Sequence, residues 1–413
     1  MKIWVFIDYN SLPEQGGFNR YYYLGRNLKK NGNDPVVFVG SHPHNTDLQL
    51  IEGREKFRLF QEEPFPWVVV KTTNYEGSKL KRVFSMFQYY INAKKAAKMA
   101  EKQYGCPDVI IGSSAHPLSA LIAVKLGKKY GCKKIVEVRD LWPESIVAYG
   151  LLKRTHPIIK ILCRFEKYLY THADGVIFTM KGAYDYIAER GWEKEIPRKK
   201  VFNLNNGVDL ELNRYNKEHF FFEDADLDNP DTYKIVYIGS IRHANDYFNA
   251  LFDAIELMRG DEYKDYVFLI YGNGDSLPQL EKRCRDRNLH NVKLKGYLEK
   301  KYLPYVLSKC DLNILNCSAN SILSRYGGSQ NKLFEYMASG KPTISGEDGK
   351  YSVIREYGSG ISRAFTDAED FVSAIVEIRN HPIAEDHILN AAKQFDFNKL
   401  AHDLEDIINS LDQ

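Results

Sequence analysis

A lysine and a glutamate one helical turn apart can serve a nucleotide in two ways. The ammonium neutralises a diphosphate, and the carboxylate accepts hydrogen bonds from the two hydroxyls of a ribose. Such a pair, Lys332 and Glu335, follows Asn331 in NKLFEYMASGKP, residues 331–342. On a helical wheel Leu333, Phe334, Met337 and Ala338 share one arc, and Lys332, Glu335, Tyr336 and Ser339 share the other. The first arc predicts core. The second reads either as a solvated ion pair, worth about 0.2–0.5 kcal/mol, or as the lining of a cleft. Gly340 and Pro342 end the helix ahead of a short strand.

The other chemistry-bearing residues of the second half stand just beyond apolar runs. Gly239, Ser240 and Arg242 follow IVYI; Gly272, Asn273 and Gly274 follow FLIY; Lys295, Gly296 and Tyr297 follow VKL. Glycines let backbone amides approach a phosphate, and helix N-termini favour negative charge, so Gly239 and the turn at Lys332 are candidate anion sites. In the first half His116 follows IIGSSA and precedes a proline; it reads as a hydrogen-bonded structural residue or as a site residue at a strand end. Asp140, in RDLWPE, reads as a local ion pair, a helix cap or a site acid. Asp224 and Asp226 match an Asp-x-Asp metal pattern, but they lie in an acidic loop and not at the end of an apolar strand, so no metal site is expected.

These residues need a scaffold of alternating strands and helices. IWVFI, PVVFVG, DVIIGSS, KIVEV and GVIFTM alternate with amphipathic stretches in the first half, and KIVYIGS, YVFLIYG, NVKLKGY, DLNILN and KPTISG do so in the second. The alternation predicts α/β architecture: two doubly wound, Rossmann-like domains with parallel sheets and a ligand cleft between them. The rhythm breaks at FFEDADLDNPDTY, which sets the boundary near 213, giving domains 1–213 and 214–395. An amphipathic helix over 396–413 is free to pack back onto the first domain. A length of 413 residues suits two cores, and 44% hydrophobic with 27% charged residues is ordinary for a globular protein. A net charge of +3 gives no case for nucleic acid. The opening MKIWVFIDYN is too short an apolar run for a signal peptide or a membrane span. Six cysteines without a CxxC pair suggest neither zinc nor disulfides, so a reduced, cytoplasmic protein is expected.

The series EQGGFNRYYYLGRNLKKNG, EVRDLWPES, NLNNGVD, YIGSIR, YGNGDSLPQLE, VKLKGYLEKKYLPYVLSKCDLNIL and NKLFEYMASGKPTI resembles the retaining GT-B glycosyltransferases of family 4, in their bacterial surface-polysaccharide branch. The resemblance implies a nucleotide-sugar donor, UDP-linked, and a carbohydrate hydroxyl acceptor on a lipid-linked glycan, with no metal and no other cofactor. It implies that Glu335 binds the donor ribose, that Lys332 and Arg242 clamp the diphosphate with Asn331 and Gly239 beside them, and that the backbone at Lys295 and Tyr297 receives the base. Gly16 and Gly17 correspond to the loop that closes over the phosphates, His116 to the histidine beside the transferred sugar, and Asp140 and Glu144 to residues facing the acceptor. Two positions depart from the pattern. Many members carry a second glutamate eight residues before the ribose-binding one, where this chain has Gly327, and a lysine soon after the arginine, where this chain has RHANDYF. The same architecture also serves UDP-sugar 2-epimerases, and Gly327 keeps open a non-catalytic nucleotide-sugar-binding protein. Residues 79–103 interleave aromatic residues with Lys79, Lys81, Arg82, Lys94, Lys95 and Lys98 against Glu101 alone. That helix suits peripheral contact with the inner face of a membrane, or else it packs Phe84, Phe87 and Tyr90 into its own domain.

Overall fold

The computed structural model describes residues 1–13, 19–43, 48–61, 64–75, 77–114, 116–241, 247–316 and 321–411. The chain divides into two compact units, Met1–Asn205 with Phe397–Gln413, and Asn206–Asp396. The boundary comes earlier than 213 because the chain at Asn206 already belongs to the second unit. Asn206 N–H donates to Ser329 Oγ (2.8 Å), and Val208 N–H donates to the Phe395 carbonyl (2.9 Å).

The first unit is built on strands β1 (Lys2–Phe6), β2 (Asp34–Gly40), β3 (Phe57–Gln61), β4 (Trp67–Val70), β5 (Val109–Ser114), β6 (Lys133–Val138), β7 (Gly175–Phe178) and β8 (Val201–Asn203). Their order in the sheet is β3-β4-β2-β1-β5-β6-β7-β8. Strands buried on both faces read as unbroken apolar runs, which is why β1, β2 and β5 were visible without any alternation to guide them. The sheet is parallel except for β3, which pairs antiparallel with β4; the connection from Gln61 to Trp67 is too short for a crossover helix. Phe6 stacks on Phe38 at 4.3 Å between ring centroids, and Ala93, Ala96, Ala97 and Ala100 let helix Lys79–Tyr104 pack close over these rings. The first half of that helix differs. Phe84 and Phe87 are more than half exposed, beside exposed Leu80, Val83 and Ile91, so they do not pack into the domain. Helix Phe397–Ser410 belongs to this unit, with Phe397 stacked on Tyr23 (5.1 Å) and Glu405 accepting from Asn31 (3.0 Å) and Asn33.

The second unit carries β9 (Tyr233–Ile238), β10 (Tyr266–Tyr271), β11 (Val292–Gly296), β12 (Leu312–Asn316), β13 (Thr343–Ser345) and β14 (Gly360–Ser362), in the order β11-β10-β9-β12-β13-β14 and parallel throughout. Each sheet therefore reverses its direction of growth once, at β1/β5 in the first and at β9/β12 in the second. Beyond β10, Gly272 is required by crowding: a Cβ there would lie 1.8 Å from the Gly239 carbonyl oxygen. The glycine-rich turn thus lets the chain leaving β10 pass close against the chain leaving β9.

Two buried acids of the first unit are paired differently. Glu137 on β6 receives Arg20 Nε at 3.0 Å and the Ser113 hydroxyl at 2.5 Å. Glu166, on helix Pro157–His172, accepts from the hydroxyls of Tyr170 (2.8 Å) and Tyr186 (2.8 Å). Burial pushes its carboxyl up to about 8, against the pull of those hydroxyls and of Arg190. An acid that holds its proton more tightly when folded gives its full stabilisation below its unfolded value of about 4.3, and loses it as pH rises to its folded value. Thermal stability should therefore fall between pH 5 and 8, and Glu166→Gln should flatten that fall. Melting curves of the two proteins that stay parallel across this range would show that Glu166 is ionised in the fold.

Candidate functional site

In the second unit the reversal gathers polar groups at the carboxyl ends of β9, β12 and β13. In open α/β sheets this is where ligands bind. Gly239 directly follows β9, and its N–H donates to the Tyr271 carbonyl (3.0 Å). Helix Asn331–Ala338 begins beside it, with no acid in its first turn and no side-chain cap from Gln330. A helix N-terminus without an acid leaves its partial positive charge available to an anion. Lys332 Nζ lies 4.3 Å from the centroid of the Tyr237 ring and 3.6 Å from where a Cβ on Gly239 would stand, so this ammonium is held over the end of β9. Glu335, one turn further, is mostly buried and pairs with Lys300 at 3.4 Å. Lys300 follows the β11 loop in which Tyr297 is 72% exposed. Asn331 is exposed at the helix start. The structure thus brings together Gly239, Asn331, Lys332 and Glu335. Arg242 lies outside the described residues, as do Gly16 and Gly17.

Two side chains behave otherwise than their positions suggest. Tyr336, placed on the open arc by the wheel, is fully buried; its hydroxyl accepts from Ile238 N–H (2.9 Å) and donates to the Ile238 carbonyl (3.4 Å). It pins the last residue of β9, and so the start of the Gly239 turn. Lys295 turns away from the β11 loop to meet Asp224 (2.9 Å) and Asp226 (2.5 Å), which leaves only its backbone for a ligand. The same contacts explain the Asp-x-Asp pattern as a lysine-neutralised loop.

In the first unit the reversal at β1/β5 places Asp8 opposite His116. His116 Nε2 lies 2.9 Å from Asp8 Oδ2, with both side chains fully buried. A proton on Nε2 shared with the carboxylate leaves Nδ1 as an acceptor, and among the described residues this buried atom has no partner. Tyr9 and Tyr89 set their rings edge-on to the imidazole, and Arg82 lies over Tyr9. Asp140, beyond β6, is exposed; surrounding protein raises its carboxyl while Arg139 and Arg82 pull it down. It stands at a recess walled by Pro117, Trp142, Leu162, Phe165 and Leu169. Glu144 is buried, and its two oxygens are taken by Arg154 and Arg190. It is not among the residues that line the recess.

Two sequence-family models match the chain. One, described as Glycosyltransferase Family 4, covers residues 15–212, and another, described as Glycosyl transferases group 1, covers 232–381. The chain belongs to glycosyltransferase family 4. "Probable glycosyltransferase WbjE" of Pseudomonas aeruginosa is 22% identical to this family 4 chain over 283 residues, which are 67% of this chain and 64% of that relative. The match thus spans just under two thirds of the relative's length. Among solved structures, Anabaena HepE in complex with UDP aligns with a TM-score of 0.65 and 13% identity, covering 99% of this chain and all of that one. A sucrose-phosphate synthase from Thermosynechococcus elongatus aligns at 0.64 and 18%, covering 99% and 98%. At these identities the likeness establishes the fold, which is GT-B.

Residues that sequence reasoning missed include Asp8 and Tyr336. Asp8 had a signal, since an acid closing the apolar run IWVFI stands at a strand end like the others. Tyr336 had none, because a tyrosine on the polar arc of a short helix looks solvated. Removing its hydroxyl should strand the Ile238 amide. Tyr336→Phe should lower stability in urea by about 1–2 kcal/mol. An unchanged midpoint would mean that water replaces the hydroxyl.

Proposed function

We propose that this protein is a glycosyltransferase that moves a sugar from a UDP-sugar to a carbohydrate hydroxyl, with retention at the anomeric carbon. The observation that carries the reading is the second unit's strand reversal, where Gly239, the ammonium of Lys332 and the carboxylate of Glu335 share one edge. That set meets what a nucleoside diphosphate offers: charge for Lys332 and the helix N-terminus, and ribose hydroxyls for Glu335. In the transfer, the bond from the anomeric carbon to the diphosphate oxygen breaks and a bond to the acceptor oxygen forms, with the acceptor's proton released. The diphosphate leaves with growing negative charge, and fixed cations and helix dipoles can stabilise it without a metal ion. The UDP complex named for HepE supports uridine as the base. Family membership supports transfer over epimerisation, and the resemblance of the motif series to the bacterial surface-polysaccharide branch supports a role in surface polysaccharide synthesis.

The first unit supplies the acceptor side in this reading. His116, oriented by Asp8, stands beside the transferred sugar, and Asp140 faces the acceptor from its recess, with Glu144 following it in RDLWPE and held by Arg154 and Arg190. The acceptor is a glycan on a lipid carrier, and the enzyme works as a peripheral protein on the inner face of the membrane. The exposed Leu80, Phe84 and Phe87 beside the basic residues of helix Lys79–Tyr104 support that placement. No described helix is long and apolar enough to cross a membrane.

A ligand that binds only the folded state raises its melting temperature. UDP should raise that of the wild type by several degrees with EDTA present, and Glu335→Ala should lose the shift while melting at a similar temperature alone. No shift with UDP, GDP, ADP or their sugar conjugates would remove the reading, and conversion of one UDP-sugar into another without acceptor would replace it with epimerisation. Phe84→Ser with Phe87→Ser should release the protein from anionic phospholipid vesicles at least tenfold. Equal binding by both proteins would put the membrane contact elsewhere.

A further inference from the structure

Glu347 lies outside every motif that identifies the family, and its surroundings are those of a built site. It follows β13 by two residues, at the same edge as Gly239 and Lys332. Its Oε1 accepts from Asn316 Nδ2 (3.3 Å), at the end of β12, and from Gln330 Nε2 (3.1 Å), at the start of helix Asn331–Ala338. Its backbone is fixed at both ends. The N–H donates to Ser345 Oγ (3.2 Å), and the carbonyl accepts from Ser362 Oγ (2.6 Å). Asn316 in turn accepts through Oδ1 from Gly346 N–H (2.9 Å) and Ser345 Oγ (3.2 Å), so one amide sets both the loop and the carboxylate it carries.

The other oxygen, Oε2, points at the turn before the helix: a Cβ on Gly328 would stand 2.8 Å from it. The neighbouring Gly327 has φ +93°, a conformation that a glutamate side chain would strain. The turn is therefore shaped to receive a carboxylate and cannot easily supply one. Burial raises the Glu347 carboxyl, while the two amides and the charge of Lys332 draw it down. A carboxylate this close to a helix start would ordinarily cap it, yet Glu347 bonds side-chain amides instead.

We propose that Glu347 is the carboxylate that binds hydroxyls of the donor's sugar, reaching the site from the loop after β13 and filling the role left open at Gly327. This deepens the reading of the second unit as a UDP-sugar site and rests on it. A carboxylate accepts two hydrogen bonds from neighbouring hydroxyls of a pyranose at once, so it distinguishes sugars by the geometry of those hydroxyls, and UDP alone does not touch it.

The test separates the sugar from the nucleotide. Binding of UDP, UDP-glucose, UDP-galactose and UDP-N-acetylglucosamine is measured by calorimetry for the wild type, Glu347→Gln and Gly328→Ala. Wild type should bind at least one UDP-sugar more tightly than UDP. Glu347→Gln, which keeps an oxygen for Asn316 and Gln330, should hold UDP within about twofold and weaken that UDP-sugar tenfold or more. Gly328→Ala, which displaces the carboxylate without changing charge, should show the same selective loss. An equal loss of UDP and UDP-sugar would make Glu347 a structural brace, and unchanged UDP-sugar binding in both variants would place the sugar elsewhere; either overturns the inference. Failure of the wild type to bind any uridine nucleotide would instead overturn the reading on which it rests.

Discussion

A parallel sheet grows by crossovers that return the chain to the same edge of the sheet, and where the direction of growth flips, the two connecting segments leave on opposite faces. Neither then covers the carboxyl ends of the strands between which the flip occurs. In this chain that happens at β1/β5 and at β9/β12. Two polar constellations stand at those gaps, whereas Lys295 with Asp224 and Asp226 belongs to the edge strand β11, and Glu166 with its tyrosines to a helix. Asp8 meets His116 across the first; Gly239, Asn316, Lys332 and Glu347 surround the second. Elsewhere the sheets are covered by apolar packing, and an ionisable group placed there would have to carry its own partner, as Glu137 does with Arg20.

The gaps are useful only because their edges are held. A strand end has lost its ladder partners, so its last amides need another acceptor. At β9 that acceptor is the Tyr336 hydroxyl, a side chain from the helix whose first turn carries Lys332. At β12 and β13 it is Asn316, which spans Ser345, Gly346 and Glu347. The groups that could touch a ligand and the groups that hold the backbone thus come from the same short segments. Loss of one would be felt by the other.

Much of this was legible from residue order. Ten apolar runs gave ten of the strands, because buried parallel strands leave unbroken hydrophobic stretches. Four were missed: β3, because FRLFQ alternates at an edge, and the three- or four-residue β4, β8 and β14, which are too short to stand out. Lys332 and Glu335 were found because a single helix fixes their spacing. Glu347 was not, since it meets Gln330 and Gly328 only after the chain has passed through a helix and a strand. Asp224 and Asp226 show the opposite error that pattern reading invites: their spacing suggests a cation site, and the cation they have is Lys295.

The first unit is discontinuous in sequence, interrupted by the whole of 206–396 and completed by helix Phe397–Ser410. On the ribosome this imposes an order. The sheet β1 to β8 has emerged long before the segment that covers Tyr23 and takes the amides of Asn31 and Asn33, whereas the second unit is synthesised in one stretch. The inserted unit can reach its native state first, and the host unit must keep an apolar face open until the final helix arrives. A nascent chain stalled before residue 397 would hold a finished second unit joined to an unfinished first one, with the vacant seat of the last helix as the surface most prone to a chaperone or to another nascent chain.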